Sequence, residues 1–309
     1  MHAIEVDHLS KHFGTLVALN DISFSVAEGE TFGFLGPNGA GKTTTVEILE
    51  GLRNPTSGSA RIFDVDVTKD YSPIRDKVGI LPQNFEPFDE LKPWEAIEYW
   101  AGLYDRKPTR KEINTLLEGV GLADRSNSIS KKLSGGEKRK LGIALSLINN
   151  PELLFLDEPT TGLDPKARRD IWHMISDISK KGTTVFLTTH YLDEAEKLAD
   201  NVAILHKGKI VAGGSPHDLI TRYGKMTVIV ISGVGSEALN EIRRRGIDAT
   251  QEEGDVLVPV QNPSEMRVIF QKLSGIELKA KDMYTRRQTL EDVFLGLVGA
   301  KMEEGVLKE

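Results

Sequence analysis

One glycine-rich segment between a predicted strand and a predicted helix constrains this fold more than any other feature. Residues 36–43 read Gly-Pro-Asn-Gly-Ala-Gly-Lys-Thr, which fits the pattern GxxxxGK[ST], and they lie between Thr31–Leu35 and Thr44–Leu49. Glycines without Cβ let backbone N–H groups converge on phosphate oxygens, and the following helix presents its positive end to the same anion. Lys42 can then reach the β- and γ-phosphates, and Thr43 can hold Mg²⁺. The segment therefore predicts a nucleotide-binding site.

The first 217 residues alternate between short apolar runs and helical patterns, which predicts an α/β domain with a largely parallel sheet. The runs are Ile4–Val6, Thr31–Leu35, Val78–Leu81, Leu153–Leu156, Thr184–Thr188 and Asn201–Leu205. Leu153–Leu156 and Val185–Leu187 are apolar throughout, as expected for strands buried on both faces.

Strand signals are absent between about residues 90 and 150. Trp94–Tyr104, Arg110–Val120 and Lys140–Ile148 instead carry apolar residues at helical spacing. We therefore predict a helical subdomain inserted into the α/β core.

After residue 217 the pattern changes, and residues 218–309 are predicted to form an accessory α+β domain. The predicted order β-α-β-β-α-β is that of a ferredoxin-like fold, with one amphipathic helix appended. The six elements and the appended helix are Met226–Ile231, Ser236–Arg245, Ile247–Thr250, Asp255–Val260, Pro263–Leu273, Ile276–Lys281 and Thr289–Leu297.

Length and composition agree with two globular domains in a cytosolic protein. The chain has 309 residues and no cysteine, which excludes disulfide scaffolds and thiolate metal sites. The formal net charge of −7 argues against nucleic acid as a partner. No apolar stretch approaches the roughly 18 residues of a membrane span, and Met1–Asp7 lacks the pattern of a signal peptide.

Two adjacent acids follow the apolar run Leu153–Leu156. A hydrophobic strand with this ending places Asp157 beside a metal at the carboxyl edge of the sheet. Because adjacent strand residues point in opposite directions, Glu158 is expected to have a different role, orienting or deprotonating water. An acid at a strand end is also often only a helix or turn cap, and the residue pattern alone leaves both interpretations open.

A second glycine motif, Leu133-Ser134-Gly135-Gly136-Glu137, precedes a long helical run. Ser134 fits a helix N-cap, and the two glycines leave backbone N–H groups uncovered, so the segment could bind a second anion. The simpler interpretation is a plain capped helix. Two separate glycine-rich anion sites in one chain would be unusual.

Taken in order, these motifs resemble the nucleotide-binding subunit of an ABC transporter over about residues 2–217. Phe13 stands where that family stacks an aromatic ring on adenine, and Gln83 is similar to its glutamine that links the γ-phosphate and Mg²⁺ to the membrane subunit. Residues 160–165 resemble the loop in which Asp164 meets the opposing subunit, and His190 matches the histidine that contacts the γ-phosphate. The resemblance implies a P-loop NTPase core of the ABC type with ATP and Mg²⁺ as cofactors.

The resemblance also implies the roles of individual residues in Mg-dependent ATP hydrolysis. Lys42 would hold the β/γ-phosphates, Glu158 would polarise the attacking water, and His190 would position both. The expected nucleotide-contacting residues are Phe13, Gly36, Pro37, Asn38, Gly39, Ala40, Gly41, Lys42, Thr43, Thr44, Gln83, Ser134, Gly135, Gly136, Asp164 and His190. The expected metal ligands are Thr43, Gln83 and Asp157.

Two subunits of this family pack head to tail, so Ser134 and Gly136 would act on the nucleotide of a partner subunit, in a homodimer that forms on ATP binding. Phe13 replaces the usual tyrosine and keeps the stacking ring, while Glu137 replaces the usual glutamine. Ser134 and the two glycine N–H groups are retained.

The same resemblance implies an integral-membrane permease, docked near Gln83–Trp94 with Phe85, Phe88 and Trp94 as contacts. The chain would then be peripheral at the inner face of the cell membrane. Thr289–Leu295 is similar to the C-terminal extension of ATPase subunits from ABC-2-type exporters of drugs and lipids, which implies export.

A soluble ABC-type ATPase acting on ribosomes or nucleic acid is the alternative. Chromosome-maintenance members separate the two glycine motifs by a very long coiled coil, whereas Lys42 and Ser134 are only 92 positions apart. Soluble translation factors carry two cores in one chain, and this chain has one.

Overall fold

The computed structural model describes residues 1–223, 227–234, 236–252, 254–260, 262–274, 280–286, 288–298, 301–303 and 306–308. The chain divides into two compact units, Met1–Ser215 with Ala300–Glu309, and Pro216–Gly299. The boundary expected from the sequence, after residue 217, lies two residues from this division.

The Met1–Ser215 part of the first unit contains two sheets and six α-helices. Its strands are β1 (His2–Phe13), β2 (Leu16–Ala27), β3 (Thr31–Leu35), β4 (Ser57–Ile62), β5 (Val65–Asp66), β6 (Val78–Leu81), β7 (Leu153–Asp157), β8 (Thr184–Thr189), β9 (Asn201–His206) and β10 (Lys209–Gly214). Its helices are α1 (Lys42–Leu49), α2 (Pro93–Gly102), α3 (Arg110–Gly119), α4 (Gly135–Ser146), α5 (Pro165–Lys180) and α6 (Leu192–Leu198).

The larger sheet has six strands in the order β10-β9-β3-β8-β7-β6. Strands β6, β7, β8, β3 and β9 run parallel, and β10 pairs antiparallel with β9 at one edge. Every residue of β3, β7 and β8 is buried, as the uninterrupted apolar runs indicate. The predicted parallel α/β sheet is confirmed. The segments that follow β3, β6, β7 and β8 all begin at its carboxyl edge.

The expectation that Ile4–Val6 joins the parallel sheet is wrong. This run lies in the long strand β1, which belongs to a separate antiparallel sheet with the order β2-β1-β4-β5. A tight turn at Gly14, where φ is +58°, joins β1 directly to β2. Strand β1 contains both buried and exposed residues, unlike the fully buried strands of the parallel sheet.

The helical segment between β6 and β7 is confirmed as α2, α3 and α4. Strands β6 and β7 are neighbours in the sheet, so the insertion leaves and re-enters at one sheet edge. Ile97, Leu117 and Leu141 are fully buried in the shared apolar cluster of these helices. Helix α4 begins at Gly135, because Ser134 caps it as the sequence predicts.

The second unit is an antiparallel sheet with helices. Its elements are α7 (Pro216–Tyr223), β11 (Thr227–Ser232), α8 (Ser236–Arg244), β12 (Thr250–Glu252), β13 (Asp255–Val260), α9 (Pro263–Leu273), β14 (Asp282–Arg286) and α10 (Leu290–Val298). The sheet order is β12-β13-β11-β14 with antiparallel pairs throughout. This is the predicted ferredoxin-like arrangement. A short hairpin of β15 (Lys301–Glu303) and β16 (Val306–Lys308) follows.

Two predicted strands of this unit are displaced. The second strand is β12 rather than Ile247–Thr250, because Ile247 and Ala249 are buried core residues in an irregular segment before it. The fourth strand is β14 rather than Ile276–Lys281, and residues 276–279 lie outside the described residues. Helix α7, which packs against α10, was not predicted. Among the residues described, no helix has the length and apolarity needed to cross a membrane.

Candidate active site

The loop from Gly36 to Gly41 connects the end of β3 to the start of α1. Gly41 has φ +112°, and a Cβ there would lie 2.6 Å from the carbonyl oxygen of Ala18 and 2.7 Å from Leu19 Cδ2. Only glycine fits this position, because both the backbone conformation and the space exclude a side chain. The loop therefore brings its N–H groups and the helix N-terminus to one point, as a phosphate site requires.

Lys42 is the first residue of α1, and its side chain is 5% exposed. Its Nζ donates to the carbonyl oxygen of Gly36 at 2.7 Å and of Pro37 at 3.2 Å, and it lies 3.4 Å from Glu158 Oε1. Burial lowers the pKa of Lys42, while the charge of Glu158 acts in the opposite direction. A cation removed from water in this way favours an anionic partner.

The two acids after β7 have different partners, as the sequence predicts. Asp157 accepts a hydrogen bond from the Thr188 hydroxyl, and burial raises its pKa. Glu158 adopts a left-handed backbone conformation with φ +46°, uncommon for a residue other than glycine. Its backbone N–H donates to the carbonyl oxygen of Thr188 at 3.1 Å, so the turn stays attached to β8.

Glu158 is the centre of the site, because side chains from three loops contact its carboxylate. Oε2 accepts from Gln83 Nε2 at 3.2 Å and from the Thr161 hydroxyl at 3.0 Å, and it lies 3.1 Å from His190 Nδ1. Burial alone would raise the pKa of Glu158, but the hydrogen bond with His190 and the charge of Lys42 lower it to about 2. The carboxylate is therefore ionised at neutral pH.

The second glycine motif forms a capped helix start. Ser134 Oγ accepts from the Glu137 N–H at 3.3 Å, and Glu137 Oε2 accepts from the Ser134 N–H at 2.8 Å, which closes a capping box. Glu137 also accepts from Arg125 Nε at 2.8 Å, so a glutamate here has an ion-pair partner. A Cβ at Gly136 would lie 3.0 Å from that of Ala167, which requires a small residue. Ser134 remains exposed.

Two further predicted site residues lie on the protein surface. Asp164 is exposed and caps α5, where its Oδ1 accepts from the N–H groups of Lys166 at 2.9 Å and Ala167 at 3.0 Å. Phe13 is 40% exposed at the end of β1, and the Arg53 guanidinium lies 5.0 Å from its ring centroid. Lys11 Nζ also lies 5.2 Å from this centroid, so the ring makes cation–π contacts with two basic residues.

The sequence has relatives of nearly the same length. The chain is 37% identical to Nod factor export ATP-binding protein I of Rhizobium etli, over 98% of this chain and 96% of the relative. It is 35% identical to the daunorubicin resistance ATP-binding protein DrrA3 of Streptomyces coeruleorubidus, over 96% of each. The family model described as ABC transporter matches residues 19–161. The chain belongs to the ABC transporter family of ATP-binding subunits.

Solved structures of this family have the same fold over about 70% of this chain. An ATP-binding subunit of an ABC transporter superposes with a TM-score of 0.64 at 30% identity, covering 72% of this chain and 93% of that one. A dimeric ATP-binding cassette in a post-hydrolysis state with ADP and Pi gives a TM-score of 0.61 at 26% identity, over 69% and 98%. This ABC subunit is therefore an ATPase, and the relatives give no support to a ribosomal or nucleic-acid role.

One residue of this ABC subunit that the sequence reasoning missed is Arg139, in α4. It is 9% exposed, and its guanidinium donates to five backbone carbonyl oxygens at 2.7–3.1 Å. The carbonyls belong to Pro82, Gln83, Asp157, Glu158 and Pro159. Burial lowers its pKa to about 10, so it is protonated at neutral pH. The only signal in the sequence is a basic residue on an otherwise apolar helix face.

Proposed function

We propose that ATP with Mg²⁺ binds between the Gly36–Gly41 loop and Glu158, and that Glu158 directs water onto the γ-phosphate. The observation that carries this proposal is the buried Glu158 carboxylate, which contacts Lys42, Gln83 and His190 together. Lys42 and the loop N–H groups would hold the β/γ-phosphates, which is positioning and charge stabilisation rather than covalent catalysis.

The ion pair of Lys42 and Glu158 would change when a phosphate competes for the lysine. Part of the low pKa of Glu158 comes from the charge of Lys42. Once phosphate oxygens share that charge, the pKa of Glu158 rises and the carboxylate becomes a better acceptor for a proton of water. His190 keeps its 3.1 Å contact with Oε2 and fixes the direction of the carboxylate.

The three residues proposed to bind magnesium have donor types that suit this cation. Thr43, Gln83 and Asp157 offer a hydroxyl, an amide and a carboxylate oxygen, and Mg²⁺ is usually bound by one or two carboxylates together with substrate phosphates. Within the described part of the chain, no group of three histidine or acidic side chains could bind a metal unaided. The cation would neutralise phosphate charge, and its charge would favour the ionised form of Asp157 despite burial.

The second glycine motif would serve a second copy of this chain. Ser134 and Gly135 are exposed at the N-terminus of α4, where uncovered N–H groups attract an anion. We infer a head-to-tail homodimer in which Ser134 and Gly136 complete the partner's ATP site and Asp164 faces the partner. The dimeric post-hydrolysis cassette supports the formation of a dimer.

The membrane partner would dock beside Gln83–Trp94, and the sequence-predicted contacts there differ in exposure. Phe85 and Trp94 pack against the apolar cluster of the helical subdomain. Phe88 is 49% exposed and makes an edge-to-face contact at 5.2 Å with Tyr99, which is 52% exposed. These two rings are therefore the proposed contact with the permease. The chain would then be a peripheral protein at the inner face of the cell membrane.

Export is the proposed direction of transport, because the relatives described above are named for Nod factor export and daunorubicin resistance. The similarity extends over nearly the full chain, including the second unit. We propose that residues 218–309 form an accessory domain that contributes to dimerisation or regulation.

Replacing Glu158 by Gln tests the proposed function. Glu158→Gln keeps the shape of the side chain and removes its charge, so ATP binding should persist while phosphate release falls at least about 100-fold. Size-exclusion chromatography with ATP should show a trapped dimer. Glu152→Gln is the matched control, because Glu152 is 55% exposed and pairs with Lys77. Undiminished phosphate release by Glu158→Gln would refute the role of Glu158.

A further inference from the structure

A second buried carboxylate, Glu194 in α6, lies behind the site and has no role in the mechanism above. Its side chain is completely buried. Oε1 accepts from the Thr160 hydroxyl at 2.8 Å and from the Trp172 indole N–H at 2.9 Å. A buried carboxyl is costly to keep without partners, so its place in the fold depends on these hydrogen bonds.

Glu194 connects the loop that carries Glu158 with the helix that follows His190. Thr160 follows Glu158 by two residues, and α6 begins two residues after His190. Oε2 of Glu194 has no hydrogen-bond partner among the described residues, so Oε1 alone makes the connection to Thr160. Burial raises the pKa of Glu194. Glu194 therefore joins α6 to the loop that carries Glu158.

The ladder between β7 and β8 ends where these two loops begin. Its last pair is Asp157 with Thr188, and the Glu158 N–H still donates to the carbonyl oxygen of Thr188 at 3.1 Å. The 3.1 Å contact of Glu158 with His190 follows directly. The hydrogen bond from Thr160 to Glu194 is a further connection between the two loops beyond the ladder.

We propose that Glu194 is a positioning residue for ATP hydrolysis, which holds the Glu158 loop and the His190 loop in register by joining Thr160 to helix α6. The inference rests on the proposed roles of Glu158 and His190. An error of about 1 Å in the placement of reacting groups can reduce a rate by about 100-fold. Loss of Glu194 should therefore reduce kcat and leave nucleotide affinity nearly unchanged.

Steady-state ATPase kinetics of the full-length chain test this inference. Glu194→Ala should lower kcat by about 10- to 100-fold with KM for ATP within about twofold. Glu194→Gln keeps an acceptor for Thr160 and Trp172 and should recover most of that loss. Lys197→Ala is the matched control, because Lys197 lies in the same helix and is exposed. It should leave kcat within about twofold.

A double-variant cycle separates positioning from general destabilisation. If Glu194 acts through the active-site pair, Glu194→Ala should cost less than about threefold in a His190→Ala background, measured by single turnover. A loss as large as in the wild-type background would overturn the proposal, as would an unchanged kcat for Glu194→Ala.

Misfolding of Glu194→Ala and failure of the proposed function are distinguished by separate measurements. If Glu194→Ala does not fold, as judged by circular dichroism, Thr160→Val removes only the hydroxyl that donates to Glu194, and an unchanged kcat in that variant would overturn the proposal. If Glu158→Gln hydrolyses ATP normally, the proposed function fails. If Glu158→Gln is inactive and Glu194→Ala is fully active, only the inference about Glu194 fails.

Discussion

Ionisation of Glu50, at the C-terminal end of α1, lowers the free energy of unfolding. Burial, followed by the charges of Asp157 and Glu47, raises its pKa from 4.5 to about 8. The folded protein therefore holds a proton that the unfolded chain releases above pH 4.5. The free energy of unfolding must fall as the pH rises from about 4.5 through about 8.

Glu50→Gln removes this titration and should raise Tm by an amount that depends on pH. We expect little gain at pH 4, an increasing gain through pH 7, and a constant gain above about pH 8. Differential scanning calorimetry at four pH values measures it. Glu98→Gln, on the exposed side of α2, should give no such trend. A gain independent of pH would contradict the assignment.

Residues with a chemical motif could be predicted, and residues that act through long-range contacts could not. Lys42 and Glu158 follow from a loop pattern and a strand ending. Arg139 bonds to carbonyl groups 18 to 57 positions away, and Glu194 bonds to Thr160 from 34 positions away. No local pattern reports such a partner, so these positioning residues became visible only in the folded structure.

The start of α10 shows how one element is fixed at its end. Thr289 N–H donates to Asp292 Oδ2 at 2.8 Å, and Arg286 makes two hydrogen bonds to the same carboxylate at 2.8 and 3.0 Å. Burial raises the pKa of Asp292. The hydrogen bonds from Arg286 and Thr289 lower this pKa by more, so it lies below its ordinary value. The stabilisation is therefore present above the ordinary carboxyl pKa and is lost as the pH falls below it.

Asp292→Ala should loosen α10 without affecting the first unit. Removing the cap and the ion pair is expected to cost about 1–2 kcal/mol, which corresponds to about tenfold faster amide exchange in residues 290–298. Hydrogen–deuterium exchange with mass spectrometry measures this. Thr289→Ser keeps the hydroxyl and should exchange like the wild type. Equal protection of α10 in Asp292→Ala would contradict the capping role.

Elements were predictable where burial follows a simple period. Strands β7 and β8 are buried on both faces and α5 is amphipathic, so each leaves a clear pattern. Strand β14 lies at a sheet edge with four of its five residues exposed, which gives no apolar alternation. The hairpin of β1 and β2 was missed because its sheet type depends on pairing between strands rather than on either strand alone.

At the scale of the whole molecule, the proposed homodimer predicts complementation between two inactive variants. Lys42→Ala removes the phosphate-loop cation, and Ser134→Arg blocks the segment that serves the partner. Each variant alone should be inactive. In a 1:1 mixture about half of the dimers are mixed and contain one intact site of two, so activity should return to about a quarter of wild type. Phosphate release measured against mixing ratio tests this, and no recovery would contradict sites shared between subunits.

The five backbone hydrogen bonds of Arg139 have a consequence for how two sites in such a dimer communicate. One guanidinium ties α4 to the Gln83 segment and to the Glu158 segment. In the proposed dimer, the N-terminus of α4 touches the nucleotide of one site, while the segments held by Arg139 belong to the other. A displacement of α4 at one site would then move the Gln83 and Glu158 segments of the other site through the Arg139 side chain. Cooperativity between the two sites would depend on this side chain.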